Sequence, residues 1–322
     1  MRNLQLTNEL VNHNEREFIA YSPKKVDLYY PARNARFFES GLPKTEAALC
    51  AEMSRLAYCR KEPHFSFDRE QISQVLGRLG FGCRFFEKSG IPEGMGTHCI
   101  LAFHDDPEPT RNLCIVTFRG TDAHDPTDIA TDAEFLQTKW QPGGRVHKGF
   151  AEALEDILSA LSTALAEFST RILYTGHSLG AALATLLSSI RRPDFLYAFG
   201  SPRVGNGDFV ATLNGLSSRR FVNCCDIVPR IPPPKLGNVT YAHCGAAYYI
   251  DRNGEIKEDP QDRVVAEDRI VAASEYLAKY AWRIGNLPVR ELADHSPINY
   301  LNAVAADTSS PTLTAWSLKA SA

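Results

Sequence analysis

An α/β fold is the architecture this sequence predicts: a mostly parallel central sheet with helices on both faces. Short apolar runs alternate with helical patterns along the chain, and the runs are continuous rather than alternately polar. That is the mark of strands buried on both faces. Hydrophobic residues make up 44% of the chain, enough for a sizeable core. The 35 Lys+Arg against 38 Asp+Glu exclude a strongly basic nucleic-acid footprint at the level of the whole chain.

Each element has its own signal. Thr45 to Cys59 carries apolar residues on one helical face, with Thr45 as a fair N-cap. Phe67 to Leu76 is a second amphipathic stretch, ended by Gly77. Phe81 to Phe86, His98 to Phe103 and, more strongly, Leu113 to Arg119 read as strands. Phe150 to Phe168 has apolar residues at steps of three and four and is the clearest helix. Arg171 to Thr175 is a short strand, followed by an Ala- and Leu-rich helix over Leu179 to Ile190. Phe195 to Phe199 and Arg220 to Cys225 are buried strands, and Cys224 and Cys225 are expected to alternate on the second. Tyr241 to Tyr249 reads as a strand, Asp251 to Gly254 as a hairpin turn, and Ala266 to Trp282 and Ile298 to Val304 as helices.

No linker splits the chain. The expected organisation is a loose segment over 1–20, one domain over 21–306, and a loosely held tail over 307–322. The first twenty residues lack the apolar stretch of a secretory signal, which predicts a cytoplasmic protein. Ile172 to Ile190 has no Asp, Glu, Lys or Arg, but its polar and glycine residues read as strand, turn and helix rather than a membrane span. The eight cysteines include no CxxC pair, so zinc-ribbon spacing is absent and buried, reduced thiols are expected.

The chemistry centres on Gly176-His177-Ser178-Leu179-Gly180, a G-x-S-x-G pattern with a strand running in and a helix running out. This is the setting of the nucleophile elbow of α/β-hydrolases. Serine needs a base, and in that fold the order is Ser, then Asp or Glu, then His. Of nine histidines, His243 and His295 follow Ser178. His295 lies in a polar turn and can reach the serine; His243 lies in the expected strand and is better placed to pack. Asp226 closes a strand and should emerge at its C-terminal edge, where ligand and catalytic residues gather. Asp294 is a rival carboxylate, although its adjacency to His295 makes a bond to the far ring nitrogen awkward.

Together with that elbow, Phe118-Arg119-Gly120-Thr121, Val146-His147-Lys148-Gly149-Phe150, Tyr197 to Asn206 and Asp226 to Pro233 resemble, in order and spacing, the class 3 lipase family. The resemblance covers about Thr45 to Val304. It implies Ser178 as nucleophile, Asp226 as orienting acid and His295 as base. It places an oxyanion hole at the N–H groups of Thr121 and Leu179, and it requires no metal or organic cofactor. It implies a carboxylic ester hydrolase acting on acylglycerols or simpler acyl esters. The partner would be an ester or lipid substrate, with transient contact with lipid surfaces, no nucleic acid and no transmembrane segment. The alternatives are a phospholipase A1, a feruloyl-type esterase or an acyltransferase on the same fold, or a lipase-like binding protein without turnover.

In the family a lid lies between the oxyanion motif and the V-H-x-G-F motif, here Asp122 to Arg145. Its acidic start and few large apolar residues predict a weak lid and a preference for short or medium acyl chains. The rival reading, a metal held by His124 and these aspartates, is the less common use of solvated loop acids. His147 is expected to brace the turn before the long helix.

Overall fold

The structure is a computed structural model that describes residues 19–33, 36–61, 66–88, 96–105, 112–121 and 135–313. Eight strands form the main sheet: β1 (Gly82–Lys88), β2 (Thr97–His104), β3 (Leu113–Phe118), β6 (Arg171–His177), β7 (Phe195–Phe199), β8 (Ser218–Asn223), β11 (Ala247–Ile250) and β12 (Ile256–Glu258), in that spatial order. β3, β6, β7, β8 and β11 pair in parallel, while β1, β2 and β12 close the edges in antiparallel register. A small hairpin, β4 (Gln137–Lys139) with β5 (Arg145–His147), and another, β9 (Lys235–Leu236) with β10 (Val239–Thr240), stand apart from the main sheet.

Helices cover both faces, as expected of an α/β-hydrolase. On one lie α2 (Glu46–Leu56), α3 (Arg69–Gly77) and α9 (Pro297–Ala306), packed over Ile115, Leu173, Tyr197 and Phe221. On the other lie α4 (Lys148–Leu165) and α5 (Leu179–Ile190), over Cys114, Val116, Tyr174 and Leu196. Successive residues of a strand point to opposite faces, so each parallel strand feeds both cores, which explains its continuous apolar run. The shorter α1 (Lys25–Tyr29), α6 (Gly207–Ala211) and α8 (Arg290–Ala293), with the long α7 (Asp262–Lys279), complete the chain.

The N-cap expectation at Thr45 holds, since its Oγ1 accepts the Ala48 N–H at 3.2 Å. The charge-free window at 172–190 is β6, Ser178 and α5, and no helix among the described residues is long and apolar enough to cross a membrane. Three expectations are corrected. β8 ends at Asn223, so Cys224 and Cys225 form the following turn, closed by the Asp226 N–H on the Asn223 carbonyl, rather than alternating on the strand. His243 lies outside any strand; only Ala242 beside it makes a bridge, to Gly205. Residues 307–313, assigned above to a loose tail, run antiparallel to the start of α2: Thr312 bridges Thr45, the Leu313 N–H reaches the Lys44 carbonyl, and Leu313 is buried.

Candidate active site

Ser178 sits between β6 and α5 with φ 58° and ψ −127°. A non-glycine residue there is strained, at a cost of about 1–3 kcal/mol that the surrounding packing must offset. The flanking glycines allow the turn to close. A Cβ on Gly176 would lie 2.3 Å from the Gly180 carbonyl carbon, and one on Gly180 would lie 2.2 Å from the Phe118 carbonyl oxygen.

Three distant segments meet at the serine. His295 Nε2 lies 3.0 Å from Ser178 Oγ, and His295 Nδ1 lies 2.9 Å from Asp226 Oδ2. The carboxylate partner makes Nδ1 the protonated nitrogen, which leaves the Nε2 lone pair facing the serine hydroxyl. All three side chains are buried: Ser178 is 2% exposed, His295 2% and Asp226 0%. Asp226 is held by two further donors: the Val228 N–H to Oδ1 at 2.9 Å and the Tyr300 hydroxyl to Oδ2 at 2.6 Å. At Gly200 (φ +59°), a Cβ would press on Asp226, Tyr300 and His295 together, so the bare backbone there leaves room for the cluster.

The oxyanion candidates share this edge. β3 pairs with β6 in parallel with Phe118 opposite Gly176, so Thr121 and Ser178 leave the sheet on the same side. Leu179 is the first residue of α5, where N–H groups and the helix dipole favour developing negative charge.

The rival assignments separate. His243 Nε2 lies 2.8 Å from the Pro229 carbonyl, and burial, with Arg220 and Arg203 nearby, keeps its imidazole neutral. Asp294 is fully buried but turned away from His295: it accepts from the Cys225 N–H at 2.8 Å and the Tyr21 hydroxyl at 2.8 Å, and pairs with Arg290 at 3.1 Å. His147 occupies the N-cap position of α4 without a side-chain capping bond, and its ring stacks on Phe150 at 4.1 Å between centroids, so any bracing of the turn is by packing.

Two residues escaped the sequence reading. Tyr300, in the first turn of α9, is one. Tyr58 is the other: its hydroxyl lies 2.7 Å from His177 Nδ1, and the His177 ring packs 4.5 Å from that of His295. Burial, with His295 beside it, keeps His177 neutral. Neither tyrosine belongs to a motif, and only the fold brings it to the site. The segment carrying His295 is also clasped from the N-terminal side. Ser22 and Asn299 exchange two bonds of 2.8 Å, the Ser296 hydroxyl donates to the Asp27 carbonyl at 2.7 Å, and Tyr21 reaches Asp294.

Among the described residues one group has metal-ligating atoms within 4.8 Å of one another: Cys224, Cys225 and Asp294. The Asp294 carboxylate is committed to Arg290, Tyr21 and the Cys225 N–H, so the set does not fit a cation. Residues 122–134, with His124 and the aspartates of the expected lid, lie outside the described residues; Leu136 is half exposed.

A serine on a strained strand-to-helix turn, bonded in series to a histidine and an aspartate from later loops of a mostly parallel sheet, fits the α/β-hydrolase class. Residues 115–236 match the family model described as lipase (class 3). It is 35% identical over 156 residues to a lipase of Rhizomucor miehei, covering 43% of this chain and 42% of that protein. It is 32% identical over 208 residues to the secreted mono- and diacylglycerol lipase MDL3 of Malassezia globosa, covering 60% and 65%. With the triacylglycerol lipase OBL1 of Ricinus communis it shares 25% identity over 80% of this chain and 64% of that one. The chain thus spans less than two thirds of the length of each of these relatives. Among solved structures, the mono- and diacylglycerol lipase of Aspergillus oryzae has the same fold, with a TM-score of 0.51 at 24% identity over 65% of this chain and 81% of that one.

Proposed function

We propose that the protein is a serine carboxylic ester hydrolase, a lipase or esterase that cleaves acylglycerols or simpler acyl esters. The observation that carries this is the bonded chain Ser178 Oγ, His295 Nε2, His295 Nδ1, Asp226 Oδ2 on the strained turn. His295 takes the hydroxyl proton as Ser178 Oγ attacks the ester carbonyl. Asp226 keeps the imidazole in the required tautomer and stabilises the imidazolium that forms. The tetrahedral oxyanion is held by the Thr121 and Leu179 N–H groups, each such donor being worth on the order of 10²–10³ in rate. His295 then gives its proton to the leaving alcohol, and water attacks the acyl-enzyme by the same route in reverse. The acidic lid supports short or medium acyl chains with little interfacial activation.

The test is hydrolysis of p-nitrophenyl esters from acetyl to palmitoyl, with Ser178→Ala as the control. Turnover should peak at short or medium chains and vanish in the variant with the fold intact. A fully active variant would end the assignment. Cytoplasmic location is part of the proposal. It is supported by the eight free cysteines, and it contrasts with the secreted state named for the Malassezia relative. Cell fractionation decides it.

A further inference from the structure

The turn that follows α7 carries the two most exposed large apolar side chains among the described residues: Ile284 is 105% exposed and Trp282 70%. Leu277, in the last turn of α7, and Ile270, seven residues earlier on the same side of the helix, are exposed too. An apolar surface of this kind marks an interaction site. The turn itself is ordered. The Arg283 N–H and Asn286 Nδ2 both donate to the Tyr280 carbonyl, the Asn286 N–H donates to the Arg283 carbonyl, and Leu287 beyond is buried. At Gly285 (φ +89°) a Cβ would meet nothing within 4 Å among the described residues, so this corner projects into open space. Trp282 Nε1 donates to the Ala278 carbonyl at 3.0 Å. The indole can therefore leave water without stranding its one donor.

The charge around this tip has one sign. From Tyr276 to Val289 the chain carries Lys279 and Arg283 and no Asp or Glu. The segment paired with the turn adds Lys24 and Lys25, both exposed: Lys24 bridges Asn286, and the Lys25 N–H donates to the Gly285 carbonyl at 2.9 Å. Lys279 approaches Glu275 only at 4.0 Å, a solvent-exposed contact of little strength, and Arg283 lies over the Trp282 ring at 5.2 Å. The whole chain has a net charge of −3, so these cations run against the molecule as a whole. A second copy seated here by two-fold symmetry would set the cations against their own images. A bilayer containing anionic lipid suits both features. Apolar tips enter the acyl boundary, an indole sits at head-group level, and Lys and Arg are drawn to the negative surface.

We infer that the turn over 280–286 is a docking tip for anionic lipid bilayers. Trp282 and Ile284 enter the interface, and Lys24, Lys25, Lys279 and Arg283 meet the head groups. The acidic residues of α7 begin at Glu275 and run back to Asp262, so contact is made by the C-terminal tip rather than along the helix. The Leu287 N–H donates to the Pro23 carbonyl, which ties the tip to the segment that clasps His295. Docking itself requires no ester cleavage and goes beyond the hydrolase reading.

The experiment is sedimentation of the full chain with sucrose-loaded vesicles of diether phosphatidylcholine, with and without diether phosphatidylglycerol. Ether lipids offer no carboxylic ester, so binding is read without turnover, and failure of the docking tip stays distinct from failure of the hydrolase reading. Wild type should bind the mixed vesicles, and bind less at high salt or to phosphatidylcholine alone. Ile284→Asp should weaken binding about tenfold or more, and Lys279→Gln/Arg283→Gln about fivefold for each charge removed. Both variants change exposed side chains and should keep the wild-type urea midpoint and the wild-type rate on monomeric p-nitrophenyl butyrate. Tryptophan emission should shift to the blue with vesicles in wild type and not in Trp282→Phe. No binding to the mixed vesicles, or equal binding by wild type and Ile284→Asp, overturns the inference. So does lipid-free dimerisation of wild type that Ile284→Asp abolishes, because the tip would then serve a second copy.

Discussion

Substituting Asn separately for Asp226 and Asp294, the two buried carboxylates beside the base, should give opposite signatures. In Asp226→Asn the amide must face donors on both sides. With its NH2 at the Oδ2 position it meets His295 Nδ1 and the Tyr300 hydroxyl; flipped, it meets the Val228 N–H. The first arrangement forces the imidazole into the wrong tautomer, and loss of that function costs about 10⁴-fold in kcat in a comparable triad, or about 5 kcal/mol of transition-state stabilisation. The stability cost is smaller, about 1–3 kcal/mol for one mismatched buried donor. Asp294→Asn instead breaks the buried pair with Arg290, which is 7% exposed, and disturbs the bonds from Tyr21 and the Cys225 N–H. Breaking such a pair costs about 3–5 kcal/mol, a large share of the 5–15 kcal/mol that holds a typical domain together. His295 keeps its carboxylate in this variant, so kcat per folded molecule should stay within about tenfold. The assay is kcat on p-nitrophenyl butyrate at low temperature, normalised to active serine by fluorophosphonate titration, alongside urea unfolding. An Asp294→Asn protein with a wild-type urea midpoint and a kcat lowered by four orders of magnitude would refute the assignment. So would an Asp226→Asn protein that keeps its rate.

Acid should unfold the protein well before its carboxylates are titrated. Burial holds His98, with Arg119 adding to the effect, and His147 down to about 4. In the unfolded chain they take up protons near pH 6.5. The unfolded state therefore binds more protons as pH falls from about 6.5 towards 4, and stability declines through that window by up to about 3 kcal/mol per histidine. A urea midpoint that stays flat between pH 7.5 and 4.5 would contradict this. At the elbow, Gly180→Ala places a methyl group 2.2 Å from a backbone carbonyl that cannot move aside, and should cost about 3 kcal/mol or more. Gly207→Ala, with nothing within 4 Å, is its neutral control, and equal urea midpoints for the two would refute the packing argument.

Sequence periodicity located the inner sheet because its strands carry continuous apolar runs and its long helices a clear apolar face. α5 and β7 begin and end at the expected residues. The elbow was legible because its chemistry needs small residues at fixed offsets from Ser178. What stayed hidden has no local signature. α1 and α6 are five residues each, too short for a helical period to show. β8 stops at Asn223 although the apolar run continues through Cys225, because Cys224 and Cys225 bury as a turn under α7 rather than as strand. Tyr58 and Tyr300 reach the site only through packing, 119 residues from His177 and 74 from Asp226 respectively. Length and polarity suggested a free tail after residue 306, and a short backbone pairing with Lys44 and Thr45 decided otherwise.

The clasp between residues 21–27 and the segment carrying His295 bears on how the activity would fail. The base stands on a short turn between α8 and α9, tied down by Tyr21, Ser22 and Asp27 from the other side of the sequence. These ties join segments outside the sheet, where local opening needs less free energy than melting the sheet. On warming, the clasp loosens first and the proton acceptor drifts from Ser178 while the eight strands stay paired. Turnover is then lost at a lower temperature than secondary structure, and recovers on cooling. A single peptide-bond cut near Pro23 would have the same effect permanently, silencing the catalyst and leaving a folded protein behind.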